Sequence, residues 1–386
     1  MPQLQHLSAF GIFIHVIYRF WPVWVALFIS MGLSVRFKSR LGLYGQLYDS
    51  GIGIAGIFLV GFWLFSAILA PIIAPFHPLD QMVVMKEALP GAIEPKTGLP
   101  FLFGGDLLAR DVFSRMVAGS RIVLLIAPLA TLLALCVGIT LGLPAGYYGK
   151  RVDSSLSFIA NLLLAFPVIL LFYLLVSPGI LETPLPYASA GFFFLFPIIV
   201  FGLLFYTRYR RRRLLFAIQM LITLVIGGWL FATFVFDADP LGIMRVSPST
   251  LNIFVAVVFA SSPGVFRIVR GLTLDIKTRD YVAAAQTRGE SAWYIMLWEI
   301  LPNARGPLIV DTCLRIGYTT ILLGTLGFFG LGMPPESPDW GTAIKDATRL
   351  LRAYVHPALP PALALTTFVL GLNLLADALR EQSLRD

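Results

Sequence analysis

Apolar residues run in long continuous stretches along this chain, and arginine, lysine, proline and glycine gather in the short gaps between them. Runs of that length predict membrane-spanning helices, each of which needs about 20 apolar residues. Six lie near Ile52–Phe76, Ile122–Tyr147, Leu156–Val176, Leu251–Val269, Leu308–Leu331 and His356–Leu375. Two more fall between the third and the fourth, near Tyr187–Tyr206 and Leu214–Phe236. A further one covers about Ile17–Val35, with Arg19 at its outer end, where it can snorkel.

The basic residues orient these spans. Arg36, Lys38 and Arg40 precede the Ile52 span, and Lys150 and Arg151 follow the second. RYRRRR (Arg208 to Arg213) separates the middle pair. Arg267, Arg270, Lys277, Arg279 and Arg288 follow the Leu251 span, and Arg380 and Arg385 close the chain. Placing Arg36–Arg40 inside puts every one of these clusters inside. The stretch His77–Gly119, the turn Ser177–Pro186, the turn Asp237–Pro240 and Met333–Val355 then face outward. His77–Gly119 is rich in proline and glycine and reads as loop with short helices. The middle pair adds two crossings and leaves the downstream orientation unchanged, so it reads as an insertion into a six-span plan.

Composition agrees. Of 386 residues 58% are hydrophobic and 13% charged, against about half and a quarter in soluble domains, and the mean hydropathy is +0.83. A net charge of +8 would suggest nucleic acid in a soluble protein. Here the charge sits between oily segments, as in loops facing anionic lipid, and no nucleic-acid partner is expected. RYRRRR itself reads as a solvated loop obeying that bias, the alternative being a specific lipid or partner site. Cys136 and Cys313 lie in apolar runs and read as small core residues. The scattered His6, His15, His77 and His356 give no metal-ligand spacing. MPQLQHLSAF lacks a basic n-region and a small-residue cleavage site, so a removable signal peptide is not expected.

One stretch departs from the oily pattern. YVAAAQTRGESAWYIMLWEILPN (Tyr281 to Asn303) reads as two short helical pieces. Tyr281, Ala284, Ala285 and Arg288 share one face of the first, and the alanines keep it thin enough for a partner's backbone to approach. Gly289 permits a left-handed corner. Trp293, Met296, Leu297, Ile300 and Leu301 line one face of the second piece, and Pro302 sets a bend before the Leu308 span. Such a knuckle suits a cleft on a soluble partner; an amphipathic helix lying on the bilayer is the geometric alternative.

Several segments resemble a known family. The stretch just described resembles the cytoplasmic "EAA" loop of ABC importer permeases, E-A-A-x-x-x-G followed by an apolar run and L-P. Ala284, Ala285, Gly289, Leu301 and Pro302 hold the pattern, whereas Ala283 stands at its first acidic position and Glu299 where relatives often carry histidine. GGDLLARDVFSRMVAGSRIVL (Gly104 to Leu124) is similar to the G-T-D-x-x-G-R-D-x-x-S-R-x-x-x-G-x-R signature of the dipeptide/oligopeptide/nickel permeases. Asp106, Arg110, Asp111, Ser114, Arg115, Gly119 and Arg121 match it; Gly105 and Ala109 replace threonine and glycine. AGYYGKRVD (Ala145 to Asp153), AFP (Ala165–Pro167), FFGLGMPPESPDWG (Phe328 to Gly341) and NLLADALRE (Asn373 to Glu381) resemble further segments in family order, in the pattern of the second, C-type subunit.

The resemblance implies an all-α integral membrane protein with the type I ABC importer transmembrane fold, six core spans plus about three extra. The segments would be 1–50 (extra N-terminal span and basic segment), 51–176 (three core spans with external loop 77–119), 177–250 (inserted pair) and 251–386 (three core spans with coupling loop 270–305). It implies a bacterial or archaeal cytoplasmic membrane. The partners would be a second homologous permease subunit, two ATPase subunits gripping the Tyr281–Pro302 loop, an external solute-binding protein and membrane lipid. The cargo would be a short peptide. ATP and magnesium would be bound by the ATPase subunits, with no cofactor or metal in this chain and no enzymatic role. A stand-alone secondary transporter or channel is the competing reading, but it calls for carboxylates or histidines along the spans, which are nearly free of them. A passive scaffold or sensor is a third.

The external motif residues Asp106, Arg110, Asp111, Ser114, Arg115 and Arg121 could shape a gate or dock the binding protein. Their interleaved charges favour an ion-pair network fixing the loop to the helix start. GIGIAG (Gly51 to Gly56) fits G-x-G-x-x-G but lacks a βαβ context, and GYYGKRV lacks P-loop spacing; neither is a nucleotide site. The glycines of GIGIAG read as close helix packing, as do Gly138, Gly142 and Gly146. No catalytic constellation has a defensible geometry.

Overall fold

The structure, a computed structural model, describes residues 5–181, 183–236, 248–331 and 337–383. The expected turn at Asp237–Pro240 and the centre of the Phe328–Gly341 motif lie outside them. Among the described residues, seven helices are long and apolar enough to cross a membrane, or nine if each of two bent pairs is one span. The helical membrane architecture expected from the apolar runs is what most of the chain adopts.

The helices are α1 (Ala9–Arg19), α2 (Trp21–Arg36), α3 (Gly51–Ile68), α4 (Val112–Tyr148), α5 (Lys150–Ala165), α6 (Val168–Val176), α7 (Leu185–Tyr209), α8 (Arg213–Phe236) and α9 (Pro248–Ile276). Then come α10 (Asp280–Thr287), the short segments at 292–303, α11 (Arg305–Phe329), α12 (Trp340–Thr348) and α13 (Leu359–Ser383). The chain divides into two compact units. One takes the chain up to Pro128 and from Cys313 on; the other is Leu129–Thr312.

In the first unit, α1 and α2 meet at 51°, where a single span near Ile17–Val35 was expected. Pro22 has no N–H to extend α1, yet sits well in the first turn of a new helix. Phe20 at the corner turns inward, 4% exposed. Ser50 caps α3 by accepting from the Gly53 N–H at 2.9 Å. Helix α3 lies against α13 so closely that a Cβ at Gly56 would fall 2.8 Å from the Leu375 nitrogen. That contact is the packing role read from the GIGIAG glycines.

The 77–119 stretch contains an antiparallel hairpin, β1 (Ala92–Ile93) with β2 (Pro100–Phe101), rather than short helices alone. The N-terminal segment bonds to it, the Ile93 N–H donating to the Gln5 carbonyl at 2.8 Å and the Leu7 N–H to the Gly91 carbonyl at 2.9 Å. Helix α4 starts at Val112, ten residues before the apolar run suggests, because its first turns face protein and tolerate Ser114 and Arg115. Buried Trp340 anchors this unit. Its indole N–H donates to the Met116 carbonyl at 2.9 Å, and its ring meets Trp63 edge-on at 5.1 Å. Gly119 passes beneath it; a Cβ there would lie 2.6 Å from the Pro338 carbonyl oxygen and 2.7 Å from the indole. Two motifs far apart in sequence thus share one packing contact.

In the second unit, α5 and α6 are bent by 78° where Leu156–Val176 reads as one span. Phe166, preceding Pro167, is extended at φ −79, ψ 128, as the proline ring requires. Helix α4 runs along α9 on its glycine seam. A Cβ at Gly142 would sit 2.8 Å from Val269, and one at Gly146 2.6 Å from Thr273, so the seam packs as its i, i+4, i+8 spacing predicts. Helices α7 and α8 stack on each other and on α9, the Phe194 ring lying 4.5 Å from Phe234 and 5.7 Å from Phe254, nearly parallel to both.

Candidate functional site: a glycine corner and a buried ion-pair network

The Tyr281–Asn303 stretch folds as a corner within the second unit. Helix α10 has Asp280 in its first turn, where a carboxylate suits the helix dipole. It ends at Gly289, with φ +72, whose N–H donates to the Gln286 carbonyl at 2.9 Å. This is the left-handed stop that glycine adopts without a Cβ penalty. Ser291 restarts the helix by accepting from the Tyr294 N–H at 3.3 Å.

The second piece is not a regular amphipathic helix. Ala292–Tyr294 leads into a π-helical turn at Ile295–Ile300, then Leu301–Asn303. Pro302 cannot donate to the carbonyl four residues back, and its ring crowds that carbonyl; a widened turn accommodates both. The chain passes through Ala304 alone before α11 begins, and the π-helical turn before Pro302 shifts the helical register. It rotates Ile295 into the buried set with Met296, Leu297 and Ile300, while Trp293 and Leu301 are half-buried.

On α10 the inward residues are Val282 and Ala285, both 0% exposed. Tyr281, Ala283, Ala284, Arg288 and Gly289 face outward. The thin face expected from Tyr281, Ala284, Ala285 and Arg288 is therefore split, with Ala285 serving the protein's own packing. Across the corner, the Arg288 guanidinium donates to the Glu299 carboxylate at 3.0 Å.

The corner and the residues leading into it are tied to the end of α4 and the start of α5. Gln286 donates to the Tyr147 hydroxyl at 3.3 Å, and Lys277 to the Gly146 carbonyl at 2.7 Å. Arg270 grips Asp153 through two nitrogens, one bond at 2.6 Å. AGYYGKRVD is thus the seat on which the corner rests. The inserted pair reaches the same place: the Trp298 indole N–H donates to the Thr207 hydroxyl at 3.0 Å, and Arg208 stacks 4.8 Å from the Trp298 ring centroid. Sequence reasoning passed over Tyr147, Asp153, Arg270, Thr207 and Trp298. AGYYGKRVD was visible as a motif, but its contacts are non-local, and Trp298 lies off the apolar face of a regular helix.

The first unit holds the other candidate group. The structure brings Asp106, Arg110, Asp111, Ser114 and Arg115 together, all nearly inaccessible, and leaves Arg121 exposed outside the cluster. Asp106 accepts from the Arg110 and Leu108 N–H groups, both at 2.9 Å, and from the Arg110 guanidinium at 2.7 Å. Arg110 also reaches Asp346 on α12 at 2.8 Å, and Arg115 reaches the same carboxylate at 3.4 Å. Asp346 was not singled out from sequence; it follows the W-G motif by one helical turn and a half.

Asp111 caps α4, accepting from the Ser114 N–H at 2.9 Å and its hydroxyl at 2.7 Å. Full burial outweighs these bonds and pushes its carboxyl up to about 6. Ala109 occupies the family's glycine position at φ +60, so the turn keeps its left-handed geometry. At Gly105 a Cβ would collide with the Met85 carbonyl, which explains why threonine is absent there.

Comparison with known proteins places relatives beside this chain. The model of the family described as "Binding-protein-dependent transport system inner membrane component" matches residues 138–385. The dipeptide transport system permease protein DppC of Haemophilus influenzae is 28% identical over 330 residues, 86% of this chain and 88% of the relative. The di/tripeptide transport system permease protein DppC of Pseudomonas aeruginosa is 26% identical over 349 residues, 90% and 93%. The glutathione transport system permease protein GsiD of Pectobacterium atrosepticum is 30% identical over 278 residues, 72% and 70%.

Proposed function

We propose a mechanism from one premise: the chain belongs to the binding-protein-dependent transport system inner membrane component family. It is a multi-pass cytoplasmic-membrane permease subunit of an ATP-driven importer with the type I transmembrane fold. Within that role the cargo is a short peptide, in keeping with relatives named for dipeptides, di/tripeptides and glutathione. A second homologous permease subunit completes the pathway, two ATPase subunits bind and hydrolyse magnesium ATP, and an external binding protein delivers the peptide.

The observation that carries the mechanism is the two-sided corner. Val282, Ala285, Met296 and Ile300 bury one side, while Tyr281, Ala284, Arg288 and Gly289 present the other. A cleft on an ATPase subunit takes the exposed side. The buried side passes its displacement to α9 and, through Ala304, to α11, which switch the cavity between inward- and outward-facing states. ATP drives import because it binds one of these states more tightly. The Asp106–Arg110–Asp346 network holds the outward-facing loop against α4 and α12 throughout the cycle.

The test is ATP-dependent dipeptide uptake by the chain reconstituted with its partner subunits. Gly289→Pro abolishes uptake in this reading, since proline is locked near φ −65 and forfeits the bond to Gln286. Uptake by this chain alone without ATP would favour the channel reading. Full uptake by Gly289→Pro would make the loop a passive dock.

A further inference from the structure

The inserted pair α7–α8 and its RYRRRR turn are not explained by a six-span importer. Arg208, Arg210, Arg211, Arg212 and Arg213 are all exposed, and among the described residues none is ion-paired to a carboxylate. Helix α7 ends at Tyr209 and α8 begins at Arg213, so three residues make the turn. A linker that short holds its guanidiniums within about 10 Å of the plane where the apolar helices leave the bilayer, roughly one Debye length. Aromatic residues flank them: Phe205 and Tyr209 lie tilted 6.4 Å apart, Tyr206 meets Phe216 at 6.1 Å, and Arg210 lies 5.4 Å over Tyr206. An aromatic belt beneath a row of arginines marks the headgroup level of a basic, inward-facing membrane surface.

The neighbouring helical turn links this surface to the coupling corner. Thr207 accepts from Trp298, Arg208 stacks on it, and the next residue, Glu299, pairs with Arg288 beside Gly289. Three consecutive contacts connect the arginine turn to the hinge.

We propose that Arg210–Arg213 is a binding site for anionic phospholipid headgroups of the inner leaflet, wired through Thr207, Arg208 and Trp298 to the coupling corner, so that headgroup occupancy sets how strongly ATP drives transport. The charge is complementary, guanidinium forks match phosphate oxygens, and a turn this short between two apolar helices lies at the height of the headgroup phosphates. The regulatory half rests on the coupling role given above to Tyr281–Asn303; the lipid site does not.

Two measurements on the full complex test it. In nanodiscs of phosphatidylcholine with one quarter phosphatidylglycerol, native mass spectrometry reads which lipids stay bound. Each arginine near an anionic surface is worth a factor of about five. The complex therefore retains phosphatidylglycerol well above its bulk fraction, and Arg210→Gln/Arg211→Gln/Arg212→Gln/Arg213→Gln loses that enrichment. Arg211→Gln/Arg212→Gln, which keeps two charges to hold topology, loses part of it. In proteoliposomes, uptake rises severalfold from pure phosphatidylcholine to the mixture. That rise disappears in the arginine variant and in Trp298→Leu, while Trp298→Leu keeps the lipid enrichment.

Unchanged enrichment in the arginine variants overturns the lipid site. Crosslinking of these arginines to an acidic ATPase surface with no lipid enrichment does so too. An unaltered lipid response in Trp298→Leu overturns the wiring. Absence of ATP-driven uptake in every lipid mixture removes the transport reading, and the enrichment measurement still decides the site.

Discussion

Ala109 shows how far a single residue can be read. The family pattern carries glycine there; the structure holds alanine at φ +60, a conformation that costs an L-residue roughly 1–2 kcal/mol. Ala109→Gly relieves this strain against the added freedom of the unfolded chain. It raises the unfolding midpoint of the purified chain by a net stabilisation of about 1 kcal/mol, with no change in transport. Asp111 gives a second residue-scale prediction. Its carboxyl is raised from 3.8 to about 6, so the folded state holds the proton more tightly than the unfolded one. Its contribution is fully present below about pH 4 and is lost as pH rises to 6, by up to roughly 3 kcal/mol. Thermal unfolding across pH 4–6 should show that decline in the wild type and a flatter profile in Asp111→Asn. Arg110→Met removes the nearer guanidinium and leaves the buried Asp106 only Arg115 at 3.9 Å and its backbone N–H bonds, a loss of about 3 kcal/mol, seen as poor recovery of folded protein.

At the scale of elements, periodicity was a good guide where a helix is regular and a poor one where proline or glycine intervenes. The α4 seam was legible because Gly138, Gly142 and Gly146 repeat every four residues and close packing in lipid selects small residues at that spacing. Gly142→Leu, placed 2.8 Å from Val269 at its Cβ alone, forces α4 from α9 and destabilises the second unit by about 1–3 kcal/mol. Detergent-stability assays would show it. The bends at Phe20 and Phe166 follow from Pro22 and Pro167, yet long apolar runs hide them because hydropathy does not register a lost hydrogen bond. The π-helical turn escaped for the same reason. Its consequence is the inward turn of Ile295, 1% exposed, and the sideways presentation of Trp298 to the inserted pair.

For the whole molecule, the electrostatic clasp of the corner is the feature most open to test. The Arg288–Glu299 pair is partly exposed, with side chains 55% and 23% accessible, so its worth in stability is at most about 1 kcal/mol. In the proposed coupling role it fixes the angle between α10 and the π-helical turn. Glu299→Arg therefore lowers ATP-dependent uptake severalfold with little change in unfolding midpoint, and Arg288→Glu/Glu299→Arg restores most of the uptake. Failure of the double exchange to recover would show that Arg288 is used by the partner and not by Glu299.

What the sequence by itself determined is the class of molecule, a bilayer-spanning helical chain, and the left-handed glycine corner between two of its long helices. These follow from hydropathy and backbone chemistry, which act over a helical turn or the length of one span. Tertiary structure alone decided which groups meet. It joined Arg110 to Asp346, Gly119 to Trp340, AGYYGKRVD to the corner, and the arginine turn to Trp298. Such contacts join residues from about 90 to more than 200 positions apart, and a local pattern carries no record of them because burial and pairing energies depend on where the chain returns.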